Sequence, residues 1–354
     1  MKLSSLFKHK AYAFGQPNDT EQDCLFASKI INKIKPNFKV NNITLSSICD
    51  NYDVFHLTNQ RDIFYKLKIS LSDPKKVLQK EVTAIRSLGA NHVPKYICKG
   101  SIKVGEDVDY LLTQAVQSES IRIAGRSVLA ENIDQFFTNY FSFSNTKPVR
   151  AKYVSNLESF CSDLNPENQL PEESLSSLKG YTDYNLCNDF FLTLQSEIKD
   201  YTDQLKNIFR HKCHANLNLD SIFYNNHFFY LDFLDKVCMG HPYLDLCDLV
   251  LDSGFLKQND IPLFDKFCSI GDLENNRDLY HHIFELQIRK KLGQLLLDYI
   301  KEVYLYDSYR YDKIIEIADV FSHLYERFCI IPIFKQNREF IMKTICEPIF
   351  GVKA

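Results

Sequence analysis

The chain has 354 residues, 45% hydrophobic and 25% charged, and a formal net charge of −3. That is an ordinary globular balance, with no electrostatic reason to expect nucleic acid or an anionic membrane as partner. Eleven scattered cysteines without a C-x-x-C pair argue against a disulfide framework or zinc ribbon, and no apolar run is long enough for a signal peptide or a membrane helix. The expected setting is therefore a reducing cytoplasm.

Residues 1–17 carry no clear periodicity. From Asp19 the spacing predicts a helix, with Leu25, Phe26, Ile30, Ile31 and Ile34 on one face and Pro36 as its stop. Three strand-like runs follow at Val40–Ile48, Tyr52–Thr58 and Ile63–Ser70. Asp73-Pro74 reads as the N-cap and first residue of a second helix, which continues through Val77, Val82, Ile85 and Leu88 to Gly89. Two more strands are expected, near Lys95–Val104 and Val108–Ala115. Past a connecting segment at Gln114–Gln117, helices are expected near Leu129–Tyr140, Lys152–Asp163 and Asn188–Ile208, with a loose loop around Asn165–Ser177. Ser221–Tyr224 and Phe228–Asp232, split by Asn225-Asn226, read as a hairpin. The remainder reads as mostly helical, at Leu273–Tyr304, Tyr311–Phe328 and Asn337–Cys346, and Arg289-Lys290-Lys291 reads as a solvated patch.

The chemistry concentrates between His211 and Leu246. Here His211 and Asn218 precede the hairpin, Asp232 ends its second strand, and Gly240-His241-Pro242 leads into Asp245. An amide and a carboxylate so placed are oxygen ligands suited to Mg²⁺, which usually takes one or two protein oxygens plus substrate phosphates. The stretch resembles the aminoglycoside phosphotransferase/choline kinase family, whose pattern is H-x-D-x-x-x-x-N, then I-D-F, then G-x-P-x-x-D-L. His211, Asn218, Leu231-Asp232-Phe233 and Gly240-x-Pro242-x-x-Asp245-Leu246 match in order and spacing. Cys213 stands where the family has its catalytic Asp.

The resemblance implies a two-lobed protein-kinase-like α+β fold. Residues 1–116 would form a small antiparallel-sheet lobe with an added N-terminal helix, and 117–354 a mainly helical lobe. It also implies a strand lysine paired with a helix carboxylate and holding nucleotide phosphates. Lys66 and Glu81 sit where the family has them, and Lys68, on the same strand face, is a second candidate. Asn218 and Asp232 would bind the metal, and Asp245 would anchor the catalytic loop. ATP and Mg²⁺ are the implied cofactors, bound weakly, because between Gly15 and Gly89 there is no glycine. The turn Ser47-Ile48-Cys49-Asp50-Asn51 keeps only Asn51 of the family's phosphate loop, where glycines would let backbone approach phosphate.

A thiol is a poor proton acceptor near neutral pH. Cys213 would then need His211 or His214 to lower its pKa or to replace it as base. Two other arrangements use the same residues: a zinc site from His211, Cys213, His214, Cys238 and His241, whose spacing fits no standard site, and a nucleophilic Cys213–His pair. The missing carboxylate and missing glycines point to a pseudokinase-type module that binds nucleotide or a protein partner. The alternative is an active ATP-dependent phosphotransferase acting on a hydroxyl of a small molecule, such as an amino alcohol, aminoglycoside or sugar.

Overall fold

The computed structural model describes residues 19–48, 52–70, 76–87, 93–115, 118–146, 150, 182–208, 210–225, 228–253 and 261–304. Asn51, the start of the second helix at Asp73-Pro74, part of the connection at Gln114–Gln117, and the helices expected at Lys152–Asp163, Tyr311–Phe328 and Asn337–Cys346 lie outside these. By internal contacts the chain divides into one unit of Met1–Tyr153 with Phe209–Asn275 and a second of Val154–Ile208 with Asn276–Ala354. Residue 116, the expected lobe boundary, falls within the first unit.

The first unit opens with α1 (Asp19–Ile34), followed by β1 (Val40–Ile48), β2 (Asp53–Asn59), β3 (Phe64–Ser70), α2 (Val77–Ser87), β4 (Lys95–Val104) and β5 (Glu106–Gln114). The strands form one antiparallel sheet in the order β1-β2-β3-β5-β4. Side chains alternate across it. Phe55 and Leu57 of β2, Leu67 and Ile69 of β3, and Val108 and Leu112 of β5 turn to one face. There they bury against Phe26, Ala27, Ile30 and Ile31 of α1. The helical face read from the sequence is thus the one that covers the sheet. Lys66 and Lys68 of β3 are left on the opposite face.

Downstream in the same unit come β6 (Glu119–Ser120), α3 (Ile121–Ala124), α4 (Arg126–Glu131) and α5 (Ile133–Ser144). The single helix expected near Leu129–Tyr140 is broken at Asn132, whose φ of −115° and ψ of 25° are not helical. In the second unit, α6 (Thr182–Leu205) ends in a 3₁₀ turn to Ile208. Back in the first unit, β7 (His211–Cys213), β8 (Ile222–Tyr224), β9 (Phe229–Leu231) and β10 (Cys238–Gly240) make short pairs: β8 with β6 and β9, β7 with β10. The expected hairpin is the β8–β9 pair. Next are α7 (Tyr243–Ser253) and α8 (Ile261–Gly271), the latter packed on α5 through Phe267, whose ring lies 4.7 Å from Phe141 and 5.0 Å from Phe137.

A long helix α9 (Arg277–Tyr304) belongs to the second unit. The helix expected from Leu273 therefore starts late. Gly271 lies so close to the Phe141 ring that any side chain would collide, and Asp272 is left-handed, with φ 50°. The basic cluster on α9 also needs correction: Arg289 is buried, with Nε 3.2 Å from Glu197 Oε2 of α6. Among the described residues no helix is long and apolar enough to cross a membrane.

Ile30 is fully buried beneath the sheet. Ile30→Ala is expected to destabilise the protein by about 2–5 kcal/mol, read from the urea midpoint, because it leaves a cavity where α1 meets β2 and β3.

Candidate functional site

Four ionisable side chains meet on the sheet face away from α1. Lys66 Nζ pairs with Asp232 Oδ2, while Lys68 Nζ lies 3.2 Å from Asp232 Oδ1 and 2.6 Å from Glu81 Oε1. The lysine paired with Glu81 is thus Lys68, and the expected Lys66–Glu81 pair does not form; Lys66 reaches Asp232 instead. All four groups are buried. α2 carries Glu81 in because Val77, Leu78, Val82 and Ile85 pack inward, and the helix lies against the turn Leu234–Lys236 that follows Asp232.

Aromatic rings line the remaining space. The Phe223 ring centroid is 3.7 Å from Lys66 Nζ, and that of Phe233 is 4.5 Å from Lys68 Nζ. Desolvated cation–π contacts of this kind contribute on the order of 2 kcal/mol. Phe233 is left-handed, with φ 59°, and its N–H donates to Asp232 Oδ1 at 2.7 Å.

Burial opposes charge on all four groups, and their neighbours decide the outcome. For Asp232, the two ammonium groups outweigh burial and hold the carboxyl well below its ordinary range. Burial likewise pulls Lys68 down, but Asp232 and Glu81 outweigh it and hold its pKa above the usual lysine value. Lys66 is lowered, because burial exceeds the help it gets from Asp232. Glu81 is pushed up to about 7 by burial, against Lys68. Its Oε2 has no hydrogen-bond partner among the described residues.

The polar loop before β8 is held from two sides. Asp245, on the first turn of α7, accepts hydrogen bonds from the backbone N–H of His214 at 2.6 Å and of Ala215 at 2.7 Å, and from the Tyr140 hydroxyl of α5 at 2.8 Å. The carboxyl is nonetheless pushed up to about 7, since burial exceeds those three bonds. From the other side, His214 Nε2 lies 2.8 Å from the Asp232 carbonyl oxygen. A carbonyl only accepts, so Nε2 carries the proton; burial lowers the imidazole pKa and keeps it neutral. Asp232 N–H in turn donates to the Ser221 carbonyl at 3.0 Å.

These contacts shift the chemistry three residues along. The loop that Asp245 and Asp232 grip begins at His214, and His214-x-Asn216-x-x-x-x-Ser221 repeats the H-x-D-x-x-x-x-N spacing read from His211. Asn216 is exposed at its bend. Cys213, expected at the catalytic position, is instead fully buried in β7, with Sγ 3.8 Å from the His211 carbonyl and packed against Gly240. Burial, followed by the charge of Asp245, pushes its thiol well above the ordinary range, so it is neither base nor nucleophile. His211 is half-buried, its ring 6.0 Å from that of His241, and burial lowers its pKa. Asn218 Oδ1 accepts from the N–H groups of Asp220 and Ser221 at 3.0 Å each, an Asx turn that shapes the loop entry into β8. No group of three or more His, Cys, Asp or Glu that could hold a metal occurs among the described residues.

The expected metal pair therefore does not fit Mg²⁺ here. Both Asp232 oxygens accept from ammonium groups, and the Asn218 oxygen accepts from its own loop. Read from the sequence, Asn216 and Ser221 have no role at the site, and His214 only one beside Cys213 or as a zinc ligand. The signal that could have found them is the second appearance of the same spacing.

Lys68→Met leaves Glu81 and part of Asp232 buried without a cation, and is expected to destabilise the protein by about 3–5 kcal/mol in denaturant titration. His56 of β2 lies across from Lys66 in the sheet register, and its pKa is lowered to about 4 by burial and then by the Lys66 charge. The unfolded chain takes up that proton near 6.5, so this group's contribution is present above pH 6.5 and lost as pH falls toward 4. The stability difference between wild type and His56→Gln is expected to hold constant above pH 6.5 and to move against the wild type below it, read from urea midpoints at pH 7.5, 6 and 5.

The sequence matches no protein-family profile and no curated protein. Solved structures do match. An amicoumacin kinase, hAmiN, in complex with AMP-PNP, Ca²⁺ and Ami, aligns with a TM-score of 0.58 at 14% identity, over 88% of this chain and 96% of that one. The GDP complex of aminoglycoside 2'-phosphotransferase-IIIa aligns at 0.55 and 14% identity, over 86% and 98%. The aminoglycoside phosphotransferase APH(3'')-Id from Streptomyces rimosus aligns at 0.53 and 17% identity, over 75% and 98%. The five-stranded antiparallel sheet, the helix bearing Glu81 and the His214–Asp245 stretch thus belong to the two-lobed, kinase-like α+β fold of the aminoglycoside phosphotransferases.

Proposed function

We propose that the protein is a pseudokinase-type module of the phosphotransferase fold, one that binds a nucleoside phosphate and does not transfer it. The observation that carries this is the composition of the gripped loop. Its exposed position after His214 is the amide Asn216, and Cys213 beside it is a buried, protonated thiol. An amide accepts no proton at neutral pH, so the loop lacks general-base assistance, typically about 10²–10⁴ in rate. Asp220, the carboxylate within the loop, is held by Arg122 at 2.7 Å on the exposed side. Nucleotide binding is supported by the buried Lys68–Glu81 pair and by the likeness of the fold to proteins solved with AMP-PNP or GDP. Such a module acts by retaining its ligand or by contacting a protein partner.

A second reading, an active phosphotransferase for a small hydroxylated compound, is favoured by the names of those relatives, which are kinases and phosphotransferases. Coupled ATP- and GTP-turnover assays with an aminoglycoside and amino-alcohol panel separate the two. The pseudokinase reading expects no acceptor-dependent turnover in the wild type and a rise of up to about 10²–10⁴ with Asn216→Asp. Cys213→Asp, which buries a second carboxyl beside Asp245, should only destabilise the fold. Acceptor-dependent turnover by the wild type would overturn the proposal in favour of the enzyme.

A further inference from the structure

We infer that Lys66 is a tethered cation that takes the place of a divalent metal at Asp232, so that this site works without metal. Two lysines at i and i+2 on a strand point to the same face. Here both reach one carboxylate. Lys66 Nζ pairs with Oδ2 and Lys68 Nζ with Oδ1, while Lys68 alone also serves Glu81. One lysine would have sufficed to bridge Glu81 and Asp232. The second ammonium sits on the carboxylate oxygen that Lys68 leaves open.

Three features make it a fixed occupant. Lys66 is 3% exposed, so its ammonium is held out of bulk water. Its ammonium lies over the face of Phe223, a position that welcomes a monovalent cation and offers no oxygen ligand. The one or two protein oxygens that Mg²⁺ usually takes are engaged elsewhere too, because the Asn218 amide oxygen and the Ser221 hydroxyl are hydrogen-bonded within the loop. The two ammonium groups between them already engage both oxygens of Asp232. A divalent ion would have to displace Lys66 from Asp232 and then lie beside it as a like charge.

Two measurements on the full chain test this. With Mn²⁺ alone, the wild type should leave the free-Mn²⁺ paramagnetic resonance signal unchanged, whereas Lys66→Met, which vacates Oδ2, should lower it, and Lys66→Met with Asp232→Asn should restore it. Mn²⁺ binding by the wild type, or no gain in Lys66→Met, overturns the inference. In the second measurement, which rests on the nucleotide-binding reading, the AMP-PNP-induced thermal shift of the wild type should be equal in EDTA and in Mg²⁺. In Lys66→Met it should require Mg²⁺. A wild-type shift seen only with Mg²⁺ overturns the role of Lys66 while leaving nucleotide binding intact. A wild-type shift in neither buffer overturns nucleotide binding, and the Mn²⁺ result still decides Lys66. Lys66→Arg, which keeps the charge, should behave as wild type in both. Should Lys66→Met fail to fold, the wild-type Mn²⁺ and EDTA results decide alone.

Discussion

The structure depends on one fully buried carboxylate. Asp232 sits out of water, and an unpaired ion there would be several kcal/mol uphill, an order-of-magnitude penalty for taking a charge from water into a protein interior. Everything around it meets that requirement. β3 delivers Lys66 and Lys68 from the sheet, α2 supplies Glu81 to share Lys68, and the Phe233 N–H donates to Oδ1. Even the loop before β8 answers to it, through the His214 imidazole on the Asp232 carbonyl and the Ser221 carbonyl on its N–H. Remove the carboxylate and Lys66, Lys68 and the Phe233 N–H lose their shared acceptor, while the backbone bonds to His214 and Ser221 remain.

A second buried carboxylate, Asp245, performs a different task. It accepts from two consecutive backbone N–H groups and from a tyrosine hydroxyl, so it fixes a chain path where Asp232 fixes charges. Ala215 takes a left-handed φ of 60° in that grip, a conformation that costs a non-glycine residue roughly 1–2 kcal/mol. The pair explains why the loop is well defined although it has no regular secondary structure.

How much of this was legible depends on the length of the signal. The sheet strands and α1 were readable because seven to sixteen residues of period two or period 3.6 leave little room for another reading. The pairs made by β7 and β10 were not, since HKC and CMG are too short to show a period and owe their pairing to the loop that joins them. The break before α9 was hidden for another reason: Gly271 yields to an aromatic ring more than a hundred residues away. At the site, the resemblance picked out Asp232 and Asp245, which the structure buries among lysines and loop N–H groups, because those letters match outright. It was read from His211 and Asn218, which match by letter, while Asn216 and Ser221 match by spacing alone, and only the hydrogen bonds around His214 draw attention to them. The choice between Lys66 and Lys68 was open in principle, as alternation puts both on one face and only the distance to α2 separates them.

The ion pair between Lys66 and Asp232 joins residues 166 apart in the chain. Its two halves are useless to each other until the intervening polypeptide has come home. A sheet made from the first 116 residues alone would carry Lys66 and Lys68 with Glu81 as their sole carboxylate in the cluster, one acid for two ammonium groups. The N-terminal sheet therefore gains the full set of partners for its two lysines only once the segment carrying Asp232 packs against it. It is completed late, by a turn that a translating ribosome has yet to make when the last of its five strands emerges.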